Sequence, residues 1–188
     1  MSPDGATDRL LELLRARSFA RKKVVLASGK ESDFFVDCKQ TVLLAEGHAL
    51  VADAMLAALA TPTFGHVDAV AGVELGGCPL ASAVALRSFQ RGTPKDALYV
   101  RKEAKDHGSR RLVEGDTHLA KGARIALLED VVTTGGSTLR AADRLRDAGY
   151  VVAGVVAIVD RSEGGREAIE ATGVPVVALY RRADFIPI

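Results

Sequence analysis

Tryptophan is absent from the 188 residues, and aromatic side chains make up only 5% of them. With 48% hydrophobic residues the chain can still bury a sizeable core, and that core must be aliphatic, built from Ala, Val and Leu. Only two cysteines occur, Cys38 and Cys78, without C-x-x-C spacing. That excludes a disulfide framework and leaves ordinary reduced thiols. Neither sign of charge dominates, with 25 Lys and Arg against 24 Asp and Glu. General nucleic-acid and membrane-surface binders carry a basic excess, so neither partner is expected; a local basic site stays open. No apolar run approaches the ~20 residues that span a bilayer. The start, MSPDGATDRLLELL, lacks a basic-then-apolar leader pattern. The chain reads as cytoplasmic.

Two nucleotide motifs are also missing. There is no G-x-x-x-x-G-K-[ST] loop and no G-x-G-x-x-G after a strand. ATPase and dinucleotide-dehydrogenase readings lose their main support. Repeats, low-complexity segments and linkers are absent, and the length fits one domain over 1–188.

What is present is alternation. A first helix is predicted over TDRLLELLRARSF, with Leu10, Leu13 and Leu14 on one face and Thr7 as N-cap. Short strands are predicted at 24–27 and 34–37, separated by the polar SGKESD. A helix follows from Ala45 and ends at Thr61 and Pro62. Then apolar strands at 68–73, 97–100, 125–130, 151–160 and in PVVALY alternate with helices, one opening at Pro79 and another ending at Gly149. Strands that are apolar throughout predict an α/β fold, a parallel sheet covered by helices on both faces. Ligands of such sheets bind at the carboxyl ends of the strands.

The most informative strand end is IALLEDVVTTGGSTLRAADRL. A buried strand delivers two adjacent carboxylates, Glu129 and Asp130. After Val131 and Val132 comes a small-residue loop, Thr133, Thr134, Gly135, Gly136 and Ser137, and then a helix. Tight glycine turns, hydroxyl donors and a helix N-terminus make a cradle for a phosphate monoester. The carboxylates repel phosphate but suit sugar hydroxyls or an associated cation, so a phosphorylated ribose satisfies both halves. A routine strand–turn–helix junction remains the plain alternative. Elsewhere, RKEAKDHGSRR (101–111) carries five cationic side chains and no aliphatic larger than alanine. It reads either as a solvated loop or as a handle for a strongly anionic substrate. His48, His66 and His118 have no partner pattern.

E-D-V-V-T-T-G-G-S after an apolar strand resembles the phosphoribosyl-diphosphate signature of the type I phosphoribosyltransferases. RKEAKDHG resembles the mobile catalytic loop of the orotate phosphoribosyltransferases within that family. SGKESDFFVD resembles their orotate-binding segment, and IVDRSEGG the strand end whose arginine pairs with the orotate carboxylate. These stretches keep the family's order across residues 28–165.

The resemblance implies a type I phosphoribosyltransferase-like parallel sheet with a small N-terminal hood, formed by residues ~1–40, over the base site. It implies transfer of the phosphoribosyl group from 5-phosphoribosyl 1-diphosphate to orotate, giving orotidine 5′-monophosphate and diphosphate. Residues 133–137 would hold the 5-phosphate, and Glu129 and Asp130 would face the ribose hydroxyls. Mg²⁺ would be held mainly by substrate, not by a protein cage. Gly76 and Gly77 would let the backbone approach the diphosphate. Lys102, Lys105, His107 and Arg101 would be the catalytic groups at the diphosphate. Arg161 would grip the orotate carboxylate, Phe34 and Phe35 would wall the base, and Thr133 would also touch it. Taken alone, Arg161 reads equally as a surface arginine, and the two phenylalanines as core aromatics. Asp37 is a weaker candidate. Some family members carry lysines where this chain has Ala27 and Gly76. In the family the loop at 101–111 reaches the neighbouring subunit's site, which implies a homodimer. A transferase for uracil or a purine and a non-catalytic effector sensor are the rival readings.

Overall fold

The most apolar runs of the chain become its central strands, because a strand covered on both faces has no side left for water. The computed structural model describes residues 3–25, 31–103 and 111–186. The chain opens with α1 (Pro3–Arg17), followed by a hairpin of β1 (Phe19–Val25) and β2 (Glu31–Val36) and a short α2 (Lys39–Val42). Then come α3 (Ala45–Leu59), β3 (Ala69–Val73), α4 (Gly77–Gln90), β4 (Asp96–Val100) and β5 (Val113–Glu114). The second half runs β6 (Arg124–Val132), α5 (Gly136–Asp147), β7 (Val151–Asp160), α6 (Gly165–Glu170), β8 (Val176–Arg181) and α7 (Arg182–Phe185).

The main sheet has the order β5-β4-β3-β6-β7-β8. Its strands pair parallel except β5, which runs antiparallel to β4 at the edge. Alternation along each strand feeds two aliphatic cores. Ala126 and Leu128 of β6 face α1, α3 and α4, packing with Leu14, Met55 and Leu80. Ile125 and Leu127 face the other way, toward Ala141 and Leu145 of α5 and Ile169 of α6. The expected doubly covered parallel sheet is therefore observed.

The hairpin forms a separate two-stranded sheet. It is fastened to the far edge by an aromatic cluster: the Phe34 ring lies 5.1 Å from Phe19 and 5.7 Å from Phe185, and Phe185 lies 6.4 Å from Tyr180. Arg182 adds an ion pair to Asp33 at 2.7 Å.

Several boundaries differ from expectation. α1 begins at Pro3, so Thr7 lies inside the helix instead of capping it. β1 begins at Phe19 and takes in Arg21 and Lys22, which a two-stranded hairpin tolerates because one of its faces meets water. α4 begins at Gly77, ahead of Pro79. The elements α2, β5 and α7 were not anticipated; each is too short to show a period.

Leu127 is fully buried in the central strand. Leu127→Ala should lower unfolding free energy by about 2–5 kcal/mol in urea titrations, the cost of a core cavity. Loss below ~1 kcal/mol would mean that this face of the sheet is not the packed core described.

Candidate active site

Strands β3 and β6 are neighbours, yet the chain leaves β3 toward β4 on one side and β6 toward β7 on the other. Such a switch point opens a crevice at the carboxyl ends. Here the crevice is a cavity of about 320 Å³, lined by the β3 end (Val73 to Gly76), the β6 end (Glu129 to Val131), Ser137, Lys102 and Lys39.

The β6 carboxylates dominate its floor. Glu129 is only 5% exposed. Ser137 Oγ donates to its Oε1 at 3.0 Å, while the buried Oε2 accepts no hydrogen bond of good geometry. Burial first, and the neighbouring Asp130 charge second, push the Glu129 carboxyl up to about 8. Asp130 is also pushed above the usual carboxylate range by burial, partly offset by the Val131 N–H at 2.9 Å from its Oδ1. A buried carboxyl beside a second, partly buried one is costly unless a ligand completes them. Sugar hydroxyls or a cation would do so.

Gly76 and Gly77 permit this packing. A Cβ at Gly76 would sit 2.2 Å from Asp130 Oδ2, and one at Gly77 would sit 2.4 Å from the Leu128 carbonyl oxygen. With the Asp130 carboxylate in this position, a side chain at 76 would require it to shift. The Glu74–Leu75 peptide in the same loop is cis.

Beyond Val131 and Val132, which belong to β6, Thr133 to Gly135 make the turn into α5. Gly135 is the N-cap residue, with a left-handed φ of 78° and no side-chain cap. Ser137 does not cap the helix either; its hydroxyl is turned back to Glu129. Gly165 packs under the turn, where a Cβ would lie 2.5 Å from the Thr133 carbonyl oxygen and 2.8 Å from the Gly135 nitrogen. Thr133 and Gly136 are partly buried, and Thr134 is exposed.

The start of the charged loop is fastened to this site. Glu74 Oε2 accepts the Lys102 backbone N–H at 2.8 Å. Arg144 of α5 donates to the carbonyls of Arg101 and Lys102. The Lys102 side chain lines the cavity. The Arg101 guanidinium instead reaches Glu114 of β5, at 3.9 Å, and does not line it. Arg111 is exposed and pairs with Asp116. Lys105, His107, Gly108 and Arg110 lie outside the described residues, as do Ala27 and the Ser28-Gly29 pair.

On the hairpin side, Phe34 and Phe35 separate as neighbours in a strand must. Phe34 is 1% exposed and belongs to the aromatic cluster. Its expected role as a side-chain wall for a base is corrected to a core role. Phe35 is partly exposed, beneath Lys22 Nζ at 3.8 Å from the ring centroid. Arg161 is not a surface arginine: it is 7% exposed, donates to the Phe34 carbonyl at 2.9 Å and pairs with Glu163 at 2.9 Å. It joins the β7 end to the hairpin. Asp37 lies at the α2 start, paired with Lys39.

Sequence reasoning missed three residues. Lys39 and Glu74 line the cavity, and Arg144 holds the loop root. None carried a motif. His48, His66 and His118 make local contacts, with the Val42 carbonyl, Asp68 and Asp96 respectively. Cys38 and Cys78 are free, and burial raises both thiols.

A raised carboxyl destabilises the fold once ionised. The penalty begins as pH rises past the unfolded value of 4.5 and is complete above about 8. Glu129→Gln should therefore raise the melting temperature of the protein without ligands at pH 8–9 and have little effect near pH 4.5. A melting-temperature difference that stays flat between these pH values would show that Glu129 is not held protonated by its surroundings.

The geometry agrees with comparisons to known proteins. Residues 43–174 match the family model described as phosphoribosyl transferase domain. The chain is 66% identical to an orotate phosphoribosyltransferase of Sorangium cellulosum (strain So ce56) over 190 residues, covering 100% of this chain and 97% of that one. A Rhodopseudomonas palustris (strain BisB18) orotate phosphoribosyltransferase is 43% identical, with 99% of both chains covered. Among solved structures, the Mycobacterium tuberculosis H37Rv orotate phosphoribosyltransferase in complex with Fe(III) dicitrate superposes with a TM-score of 0.81 at 37% identity, covering 96% of this chain and 98% of that one. The same enzyme in complex with 5-phospho-alpha-D-ribosyl 1-diphosphate gives a TM-score of 0.77 at 34% identity and the same coverage. A carboxylate pair and glycine cradle at the switch point, on a sheet shared with these proteins, place the chain in the phosphoribosyl transferase family, among the orotate phosphoribosyltransferases.

Proposed function

We propose that the chain transfers the 5-phosphoribosyl group from 5-phosphoribosyl 1-diphosphate to N1 of orotate, releasing diphosphate and orotidine 5′-monophosphate. The observation that carries this is the pairing of two adjacent carboxylates, the buried Glu129 and the partly buried Asp130, with the 133–137 turn at one strand end. The carboxylates receive the ribose hydroxyls, and the turn and α5 N-terminus receive the 5-phosphate.

The bond from ribose C1 to the diphosphate breaks as the bond to orotate N1 forms. Negative charge gathers on the leaving group, so cations held there in advance favour the transition state over the ground state. Lys102 lines the cavity and is the first such cation. Lys105 and His107 are assigned the same role from the sequence resemblance. Arg101, which reaches Glu114 of its own chain, is assigned with the rest of the loop to the neighbouring subunit's site in a homodimer from the sequence resemblance. Exposed Leu43, Leu86 and Phe89 favour such a pairing of subunits.

The donor set fits a Mg²⁺ held through substrate oxygens, because Glu74, Glu129 and Asp130 line one cavity and Glu129 Oε2 lacks a good donor. When bound, the metal neutralises part of the diphosphate charge. On the acceptor side, Arg161 supplies the positive charge for the orotate carboxylate, steadied by the Phe34 carbonyl and Glu163. Phe35 and the β2 backbone form the base-facing edge. A cytoplasmic setting suits these substrates, and among the described residues no helix is long and apolar enough to cross a membrane.

Protein, orotate, phosphoribosyl diphosphate and Mg²⁺ should together consume orotate, followed by its absorbance, with uracil and hypoxanthine inert. A folded sample that leaves orotate untouched, or prefers uracil, refutes the reading. Lys105→Ala should lower turnover about 30–1000-fold, the loss of one desolvated phosphate contact, with the melting temperature unchanged. A parallel fall in both would assign Lys105 a structural role.

A further inference from the structure

Lys39 belongs to no motif read from the sequence, yet its side chain lines the same cavity as Glu74, Gly76, Lys102 and Asp130. The segment that carries it is pinned from both sides. Cys38 is fully buried, and its thiol points to the Asp130 carbonyl at 3.7 Å, so the chain here is pressed against the β6 end. On the other side, Asp37 Oδ1 lies 2.6 Å from Lys39 Nζ and accepts the Lys39 backbone N–H at 3.3 Å. Asp37 Oδ2 takes the Gln40 amide at 3.2 Å. The Lys39 side chain remains 40% exposed, so its ammonium is held at the wall and still open to a ligand.

The facing wall at Gly76 carries no side chain and so supplies no cation of its own. A Cβ at Gly76 would collide with the Asp130 carboxylate at 2.2 Å. Among the described residues, the cavity sets two lysines, Lys39 and Lys102, against three carboxylates, Glu74, Glu129 and Asp130. A multiply charged diphosphate entering beside those carboxylates gains most from the second ammonium, whose full charge and three donors suit phosphate oxygens better than neutral hydroxyls. A plain surface ion pair would also hold Lys39 against Asp37, but such a pair needs no place at the cavity wall.

We propose that Lys39 contacts the diphosphate of phosphoribosyl diphosphate across from the Gly76 backbone, and that Asp37 is a positioning residue that presents its ammonium. The inference rests on the site being a phosphoribosyl diphosphate site. It assigns diphosphate recognition to the α2 start, outside both the 101–111 loop and the β3 loop.

The test compares the full-length protein with Lys39→Gln, Lys39→Arg and Asp37→Asn. Binding of diphosphate with Mg²⁺ is measured by calorimetry, and KM is measured for each substrate. Lys39→Gln should weaken diphosphate binding and raise the KM for phosphoribosyl diphosphate by about tenfold or more, the worth of a charge-assisted contact. The KM for orotate should stay within about twofold, and Lys39→Arg should recover most of the loss. Asp37→Asn should raise the same KM about threefold by releasing the ammonium from its place. Diphosphate binding by Lys39→Gln within about twofold of the parent overturns the proposal. So does a matching rise in the orotate KM with a lowered melting temperature that Lys39→Arg fails to restore. Should the parent protein bind diphosphate but not consume orotate, the acceptor assignment falls, while the binding loss in Lys39→Gln still supports this contact.

Discussion

Glu129 is carried out of water, and Asp130 partly so, by the same strand that builds the core. β6 is apolar from Ile125 to Leu128 because helices cover it on both faces, and its end delivers one buried and one partly buried carboxyl to the crevice. Desolvating one carboxylate is expensive, and desolvating two side by side is more so. Much of the surrounding chemistry can be understood as a response to that strain. Ser137 turns from helix capping to donate to Glu129, and the Val131 N–H folds back onto Asp130. Gly76 and Gly77 remove every side-chain atom between the β3 loop and β6, so the two strand ends close on each other. The carboxyls are then completed only by a ligand that brings donors or a cation.

The same crowding explains how charge is arranged around the site. The β3 loop brings no cationic side chain to the cavity, so the cations come from the periphery. Lys102 enters from the β4 end and Lys39 from the start of α2. The Lys102 backbone is fixed from two directions, by Glu74 on its N–H and by Arg144 on the carbonyls. The root of the charged loop is therefore part of the rigid frame. Across the crevice, the aromatic cluster ties the hairpin to β8 and α7, and Arg161 ties it to the β7 end. Four strand ends and the hairpin thus converge because parallel pairing points their carboxyl ends the same way.

Much of this could be read without coordinates. The apolar runs around 69–73, 125–132 and 151–160 had no polar alternation, and that pattern has few solutions other than a doubly covered parallel sheet. The carboxylate pair and glycine-rich turn sat on consecutive residues, so their chemistry needed no folding to be seen. Elements α2, β5 and α7 were illegible because two to four residues show no period. The hairpin start at Phe19 was hidden by Arg21 and Lys22, charges that only a water-facing strand accommodates.

Sequence by itself determined the fold class, the glycine-rich turn and the carboxylate pair, since each depends on local pattern or on adjacent residues. Tertiary structure decided which members of each local group face the crevice. Phe34 went to the core and Phe35 to the edge, because neighbouring strand residues point to opposite sides. Arg101 turned to Glu114 while Lys102 lined the cavity. Lys39 and Arg144 joined the site from distant segments, and the Asp130 carboxylate came to lie against Gly76. Contacts between such distant residues depend on packing geometry in three dimensions, which no spacing along the chain encodes.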